Sequence, residues 1–292
     1  MPDVTPGPSS SSASGGWAST IGSMPVVPKL ASAELAAGSE RFLFTLVDRQ
    51  NQVTAGPSVA VHVRYFDLAR DPDVPAAESD AIFFWIIEGE RGLYRAPVTF
   101  TSAGTWGAEF TVSGLEAAPV AVRVIFSVRD HPSTPGVGDP APPVDTPTLD
   151  DAGGDPRLIS TDPDPDPRLY QLSVRDALAA RKPFLLNFGT PAFCESSTCG
   201  PTLQVIRTVL ADFPTLTATH VEPYRLVMRE GSLQPVFDAS GRMQPIPAVV
   251  TWGLPTEPYT FLVDASGKIA ARLEGALDPV ELRQAIEDLL AG

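Results

Sequence analysis

A chain of 292 residues, 43% of them hydrophobic, is long enough for two domains with cores of their own. Its formal net charge of −14 argues against nucleic acid as a partner and against adhesion to an anionic membrane through protein charge alone. With 31 prolines and 23 glycines, long stretches must be neither helix nor strand.

Residues 1–36 open on Met1, Pro2 and Asp3 and run into a Ser/Gly/Pro tract around Ser9–Ser14. They contain neither a basic n-region nor an apolar h-region, so the sequence as given carries no signal peptide. The composition reads as a disordered tether, of the kind that joins a lipid anchor or signal sequence to a folded domain. The strongest apolar run, Ala81–Ile87, is too short to span a membrane and reads as a strand.

Residues 37–131 follow a β pattern. Val59, Val61, Val63 and Tyr65 alternate with Ala60, His62 and Arg64, and Val120, Val122, Val124, Phe126 and Val128 alternate with Ala121, Arg123, Ile125 and Ser127. Period-two strands separated by Gly, Pro and Asp clusters, with no helical stretch between them, predict an antiparallel sandwich. The stretch Gly92–Gly107, with Trp106, is similar to small immunoglobulin-like accessory domains of bacterial envelope proteins.

Residues 132–167 are dense in Pro and Asp, including Asp162, Asp164 and Asp166, each followed by proline. Proline at this density removes backbone donors and predicts an extended, solvated linker. The Asp-Pro repeat lacks the glycine turn and Glu spacing of a calcium loop.

Residues 168–292 return to mixed α/β signals. A helix starts near Ser173, a strand covers 184–188, a second helix carries Leu203, Ile206, Val209 and Leu210, and a strand covers 217–221. A loop-rich insertion runs to Ala248 and a short helix leads to Trp252. Two strands then flank the Asp264–Gly267 turn, and Asp278-Pro279 opens a final helix. The order predicts a small mixed sheet with helices on both faces.

The only two cysteines, Cys194 and Cys199, lie in the turn between the 184–188 strand and the next helix. A thiol there faces free backbone N–H groups and the positive end of a helix dipole, which favour thiolate. Either Glu195 or Cys199 begins the helix, and the choice decides which sulfur the dipole favours. Cys194 is the preferred nucleophile because it follows the strand directly, with Cys199 as the resolving thiol. Glu195 works against thiolate formation. No nucleophile elbow, phosphate loop or dinucleotide fingerprint accompanies the pair.

The strand Phe184–Phe188, the turn Thr190–Cys194 and the stretch Trp252–Gly267 around Pro258 together resemble the thioredoxin-like superfamily, particularly its envelope branch. The resemblance covers 168–292 and departs from the family in placing four residues rather than two between the cysteines. It implies a thioredoxin-like fold and a cofactor-free thiol-disulfide oxidoreductase acting on protein thiols or disulfides as a monomer. It also implies a cis Glu257–Pro258 bond and a substrate-binding surface of Phe193, Trp252, Glu257 and Pro258. An extracytoplasmic, membrane-tethered bacterial protein is the matching location. The related copper-chaperone branch offers an alternative, with Cys194, Cys199 and His220 as ligands. A third reading is a non-catalytic interaction module with a structural disulfide.

Overall fold

The computed structural model describes residues 16–17 and 25–292. The chain is mostly β, with few helices. The tether reading of 1–15 and 18–24 lies outside the described residues. For 25–36 and Trp17 that reading is corrected. Trp17, Val26, Leu35 and Ala36 are buried, and β1 (Val27–Leu30) is a strand. Trp17 packs edge-on against Phe66 at 4.8 Å, and its indole N–H donates to Pro72 O at 2.9 Å. Gly107 makes room for it, since a Cβ there would strike the Trp17 ring. An apolar ring with its one donor satisfied overrides a local composition that otherwise reads as linker.

The N-terminal unit continues with β2 (Gly38–Val47), β3 (Ala60–Asp67), β4 (Ala77–Asp80), β5 (Ile82–Ile87), β6 (Arg91–Phe100), β7 (Gly104–Ser113) and β8 (Val120–Val128). These strands form two antiparallel four-stranded sheets, β1-β2-β6-β5 and β4-β3-β7-β8. Alternation places Val61, Val63 and Tyr65 of β3 inward, where they share one core with Phe42 and Phe44 of β2. Rings meet across the sheets, Phe42 with Tyr65 at 5.3 Å and Phe44 with Phe110 at 4.9 Å.

The C-terminal unit contains α1 (Val174–Ala179), β9 (Phe184–Phe188), α2 (Cys199–Leu210), β10 (Thr217–Val221), β11 (Leu226–Arg229), β12 (Ser232–Pro235), α3 (Pro247–Thr251), β13 (Tyr259–Val263), β14 (Ile269–Glu274) and α4 (Pro279–Ala291). Ser173 caps α1 through a bond from Asp176 N, and Asp278 caps α4 through a bond from Val280 N. The sheet order is β10-β9-β13-β14, parallel between β10 and β9 and antiparallel elsewhere. Phe184, Leu186 and Phe188 of β9 pack on the side of α1 and α3, while Leu185 packs on the side of α2 and α4. A strand buried on both faces reads as a near-continuous apolar run, here broken only by Asn187. The insertion read as loop contains the β11–β12 hairpin.

The Pro/Asp segment 132–167 is irregular but not a solvated linker, which corrects that expectation. Ala141 and Val144 enter the C-terminal core, Pro140 bridges to Lys268, and Ser160 and Asp162 are buried. Gly253, at φ +62°, lies so close to Ser133 O that any Cβ would collide with it. Prolines lack donors, yet their carbonyls and rings still pack, and so the segment wraps the sheet rather than leaving it.

The two units are joined by largely buried ion pairs. Arg41 meets Glu281 at 2.7 Å, Arg272 meets Glu40 at 2.5 Å, and Arg95 meets Asp278 at 3.3 Å. Leu43, Phe84 and Leu93 of the first unit pack with Ala276 of the second.

Candidate functional site

Strand β9 ends at Phe188, and the turn that follows brings Cys194 and Cys199 into a disulfide with Cα atoms 6.0 Å apart. Helix α2 begins at Cys199, not at Glu195. Thr198 at the N-cap makes no side-chain cap bond. The Cys199 N–H is accepted instead by Cys194 Sγ at 3.3 Å. The Cys194 sulfur therefore occupies the place of a capping oxygen, at the positive end of α2. Ser196 Oγ lies 3.2 Å from the same sulfur and 2.7 Å from Thr198 Oγ1. Cys199 is buried, whereas Cys194 is half-buried.

Register brings the second segment alongside. Tyr259 of β13 pairs with Phe188 of β9, so the residues just before Tyr259 lie beside Gly189 at the start of the cysteine turn. The Glu257–Pro258 bond is cis. A Cβ on Gly189 would be 3.7 Å from Cys199 Sγ, which fixes the closeness of that turn to the buried sulfur.

The acidic groups here are unevenly placed. The Glu257 carboxyl is pushed above the usual carboxylate range, first by burial and then by the charge of Glu195. A 2.8 Å bond from Tyr224 Oη to Glu257 Oε2 works the other way. Glu222, at the end of β10, is pushed up to about 7 by burial. One of its oxygens accepts from both the N–H and the hydroxyl of Thr161, each at 2.6 Å. The other oxygen is buried without a hydrogen-bond partner, close to the Thr190 hydroxyl, which favours the carboxylate in part.

His220 is 2% exposed and engaged at both ring nitrogens. A carbonyl can only accept, so Nε2 donates to Gly189 O at 2.9 Å, and Nδ1 accepts from Tyr170 Oη at 2.9 Å. Burial lowers its pKa to about 4, and the charge of Arg207 acts in the same direction. The ring is a neutral, positioned hydrogen-bonding group. Among the described residues no group of three or more His, Cys, Asp or Glu side chains is arranged to hold a metal ion, so Cys194, Cys199 and His220 are not gathered as a ligand set.

Of the residues assigned to substrate binding, Phe193 is half-buried beside Cys194 and Glu257 is part-exposed at the cis bond. Pro258 is buried. Trp252 is corrected. It is fully buried against Phe261 at 4.8 Å and Phe188 at 5.6 Å, and belongs to the core beneath the site. Ser196, Tyr224, Glu222 and Arg91 escaped the sequence reading. Arg91 Nη1, on β6 of the other unit, donates to Ser196 O at 3.0 Å. No local signal announces a contact across 105 residues.

No family profile matches the chain, and no curated protein matches it. Among solved structures, a proposed glycoside hydrolase from Bacteroides vulgatus ATCC 8482 aligns with 88% of this chain at 10% identity and a TM-score of 0.23. The chain spans 38% of that protein's length, and a likeness of this size carries no argument about fold or activity. No helix among the described residues is long and apolar enough to cross a membrane.

Proposed function

We propose that residues 168–292 form a thioredoxin-like unit that performs thiol-disulfide exchange on protein substrates, with Cys194 attacking and Cys199 resolving. The observation that carries this reading is the placement of the Cys194–Cys199 disulfide at the start of α2, alongside the cis Glu257–Pro258 bond. In the reduced protein the Cys194 thiolate attacks one sulfur of a partner disulfide, and the other partner sulfur leaves as a thiolate. The Cys199 thiolate then attacks Cys194 Sγ and releases the partner's second thiol. Two electrons pass to the partner and the Cys194–Cys199 bond re-forms. Cys194 is favoured as attacker by its greater exposure and by the Cys199 N–H that points at its sulfur. The preceding unit fits an immunoglobulin-like accessory domain. The whole fits an extracytoplasmic bacterial envelope protein tethered through its N-terminal segment, in a compartment where disulfides persist.

Trapping tests the assignment. Cys199→Ser, reduced and mixed with a disulfide-bonded protein substrate, should accumulate a mixed disulfide at Cys194, and Cys194→Ser should accumulate little. The reverse pattern moves the nucleophile to Cys199. The copper reading requires His220 to release Gly189 O or Tyr170. It wins if neither variant traps, wild type binds Cu(I) stoichiometrically, and both variants lose that binding. A pair that does neither is a structural staple.

A further inference from the structure

The Arg91–Ser196 contact lies at a cavity of about 240 Å³ that both units enclose. Ala31, Leu43, Ile86, Arg91 and Leu93 line it from the N-terminal unit. Ser196 and Thr198 of the cysteine turn, Thr256 and Glu257 before the cis bond, and Glu274–Ala276 close the other side. Cys194 Sγ is one hydrogen bond away, through Ser196 Oγ. A second cavity, of about 310 Å³, lies on the other flank of Thr256 and Glu257, against Tyr224, Met243, Val249 and Leu254. Among the described residues, the main chain of Thr256 and Glu257 makes no hydrogen bond, so this edge is free between two hollows.

We infer that the N-terminal unit is a wall of the substrate site, and that the hollow it shares with the cysteine turn receives an apolar side chain of an extended, cationic segment carrying the partner's cysteine. This inference rests on the exchange reading above and adds to it the wall and the charge of the partner. Apolar content comes from Leu43, Ile86, Leu93 and Ala276. The charge comes from the exposed Glu195 next to Cys194 and from Glu88 and Glu90 in the exposed turn before Arg91, while Glu257 and Glu274 in the lining are held toward their protonated forms by burial. Against these stands Arg91, whose Nη1 is occupied by Ser196 O. An approaching lysine or arginine meets an excess of carboxylates, which raises its encounter rate and holds it in register. The wall is fixed in place by the largely buried pairs Arg41–Glu281 and Arg272–Glu40, so the hollow exists before a partner arrives.

The reduced two-unit protein is mixed with three synthetic single-cysteine peptides, each as its mixed disulfide with thionitrobenzoate. The peptides are identical except that leucine-flanked cysteine is bordered by lysine, glutamine or glutamate. Hydroxyethyl disulfide, small and neutral, is the fourth probe. The lysine peptide should react about tenfold faster than the glutamate peptide at low ionic strength, with the glutamine peptide between, and added salt should compress the series. Ala31→Trp fills the hollow from an exposed position and should lower the ratio of the lysine-peptide rate to the hydroxyethyl disulfide rate about fivefold, with the thermal midpoint confirming that the variant is folded. Equal rates for the three peptides, or a ratio that Ala31→Trp does not move, overturn this inference while leaving exchange chemistry standing. No reaction with any probe, hydroxyethyl disulfide included, overturns the exchange reading and this one with it.

Discussion

In the N-terminal unit the buried side chains between the sheets are apolar, with seven rings, Phe42, Phe44, Tyr65, Tyr94, Phe100, Trp106 and Phe110, set among Val, Leu and Ala. In the C-terminal unit the sheet is buried on both faces, and polar side chains go down with it. Asn187, Thr190, Thr219, His220, Glu222 and Thr260 are all buried there. A buried polar group costs stability unless it is bonded, so its presence demands a partner or a purpose. Asn187 bonds Thr260 Oγ1 and His220 bonds Gly189 O and Tyr170, tying the strands β9, β10 and β13 to the segments around the cysteine turn. One core holds a shape; the other holds positions around a reactive pair.

The largest effect that separates the two is a truncation in the ring core. Phe44 is fully buried, stacked on Tyr94 at 5.2 Å and edge-on to Phe110 at 4.9 Å. Phe44→Ala should cost about 3–5 kcal/mol in denaturant unfolding, from lost transfer energy and the cavity left behind. In protein that is still folded, thiol exchange with hydroxyethyl disulfide should persist near the wild-type rate. A rate that collapses with stability would show that the cysteine turn depends on the ring core, and the comparison would break.

In the C-terminal core the decisive variable is pH. Glu222 keeps its proton in the folded state up to about pH 7 and loses it near the ordinary carboxylate value when unfolded. Between those values the folded state holds more protons, so this group's contribution to stability is present at low pH and is lost as pH rises toward 7. His220 acts oppositely: its pKa falls to about 4, so its contribution is present above about 6.5 and is lost as pH falls toward 4. Glu222→Gln removes the first dependence and keeps an oxygen for Thr161. Its stability relative to wild type should rise between pH 5 and 8 by up to about 3 kcal/mol, measured by denaturant titration at each pH. A difference that stays flat across that range would mean that Glu222 is ionised throughout.

How much of this was legible follows the same division. Strand β9 could be read to the residue, because a five-residue stretch, apolar but for Asn187, has clear ends at Pro183 and Gly189. The β8 alternation was equally plain. The cap at Asp278 with Pro279 marked α4, and the prolyl stretch at Glu257–Pro258 marked the cis bond through family resemblance. The rest was set by tertiary contact. Trp17 sits in a Ser/Gly tract, and only the hollow above Gly107 and Phe66 gives it a place. The Pro/Asp segment reads as solvated because local composition cannot register the sheet edge that Pro140 meets at Lys268. Trp252 looked like a site wall since its position near Pro258 was visible and its burial was not. Arg91 belongs to another unit altogether.

The smallest predicted effect tests whether the polar core is built from particular bonds or merely tolerated. Tyr170 Oη is buried and donates to His220 Nδ1, the assignment required once Nε2 donates to Gly189 O. Tyr170→Phe preserves the ring in its place among Leu169, Ile206 and Leu185 but leaves Nδ1 without a donor. The loss should be about 1 kcal/mol, the net worth of a hydrogen bond together with part of the desolvation it offset. His220→Leu removes the acceptor instead, and the double variant closes the cycle. If the bond is made, the two single losses should exceed the double loss by about 1 kcal/mol. Additive losses would mean that Tyr170 and His220 are neighbours without a bond. The geometry around Gly189, one residue past the end of β9 and close to Cys199, would then have to be held by the sheet alone.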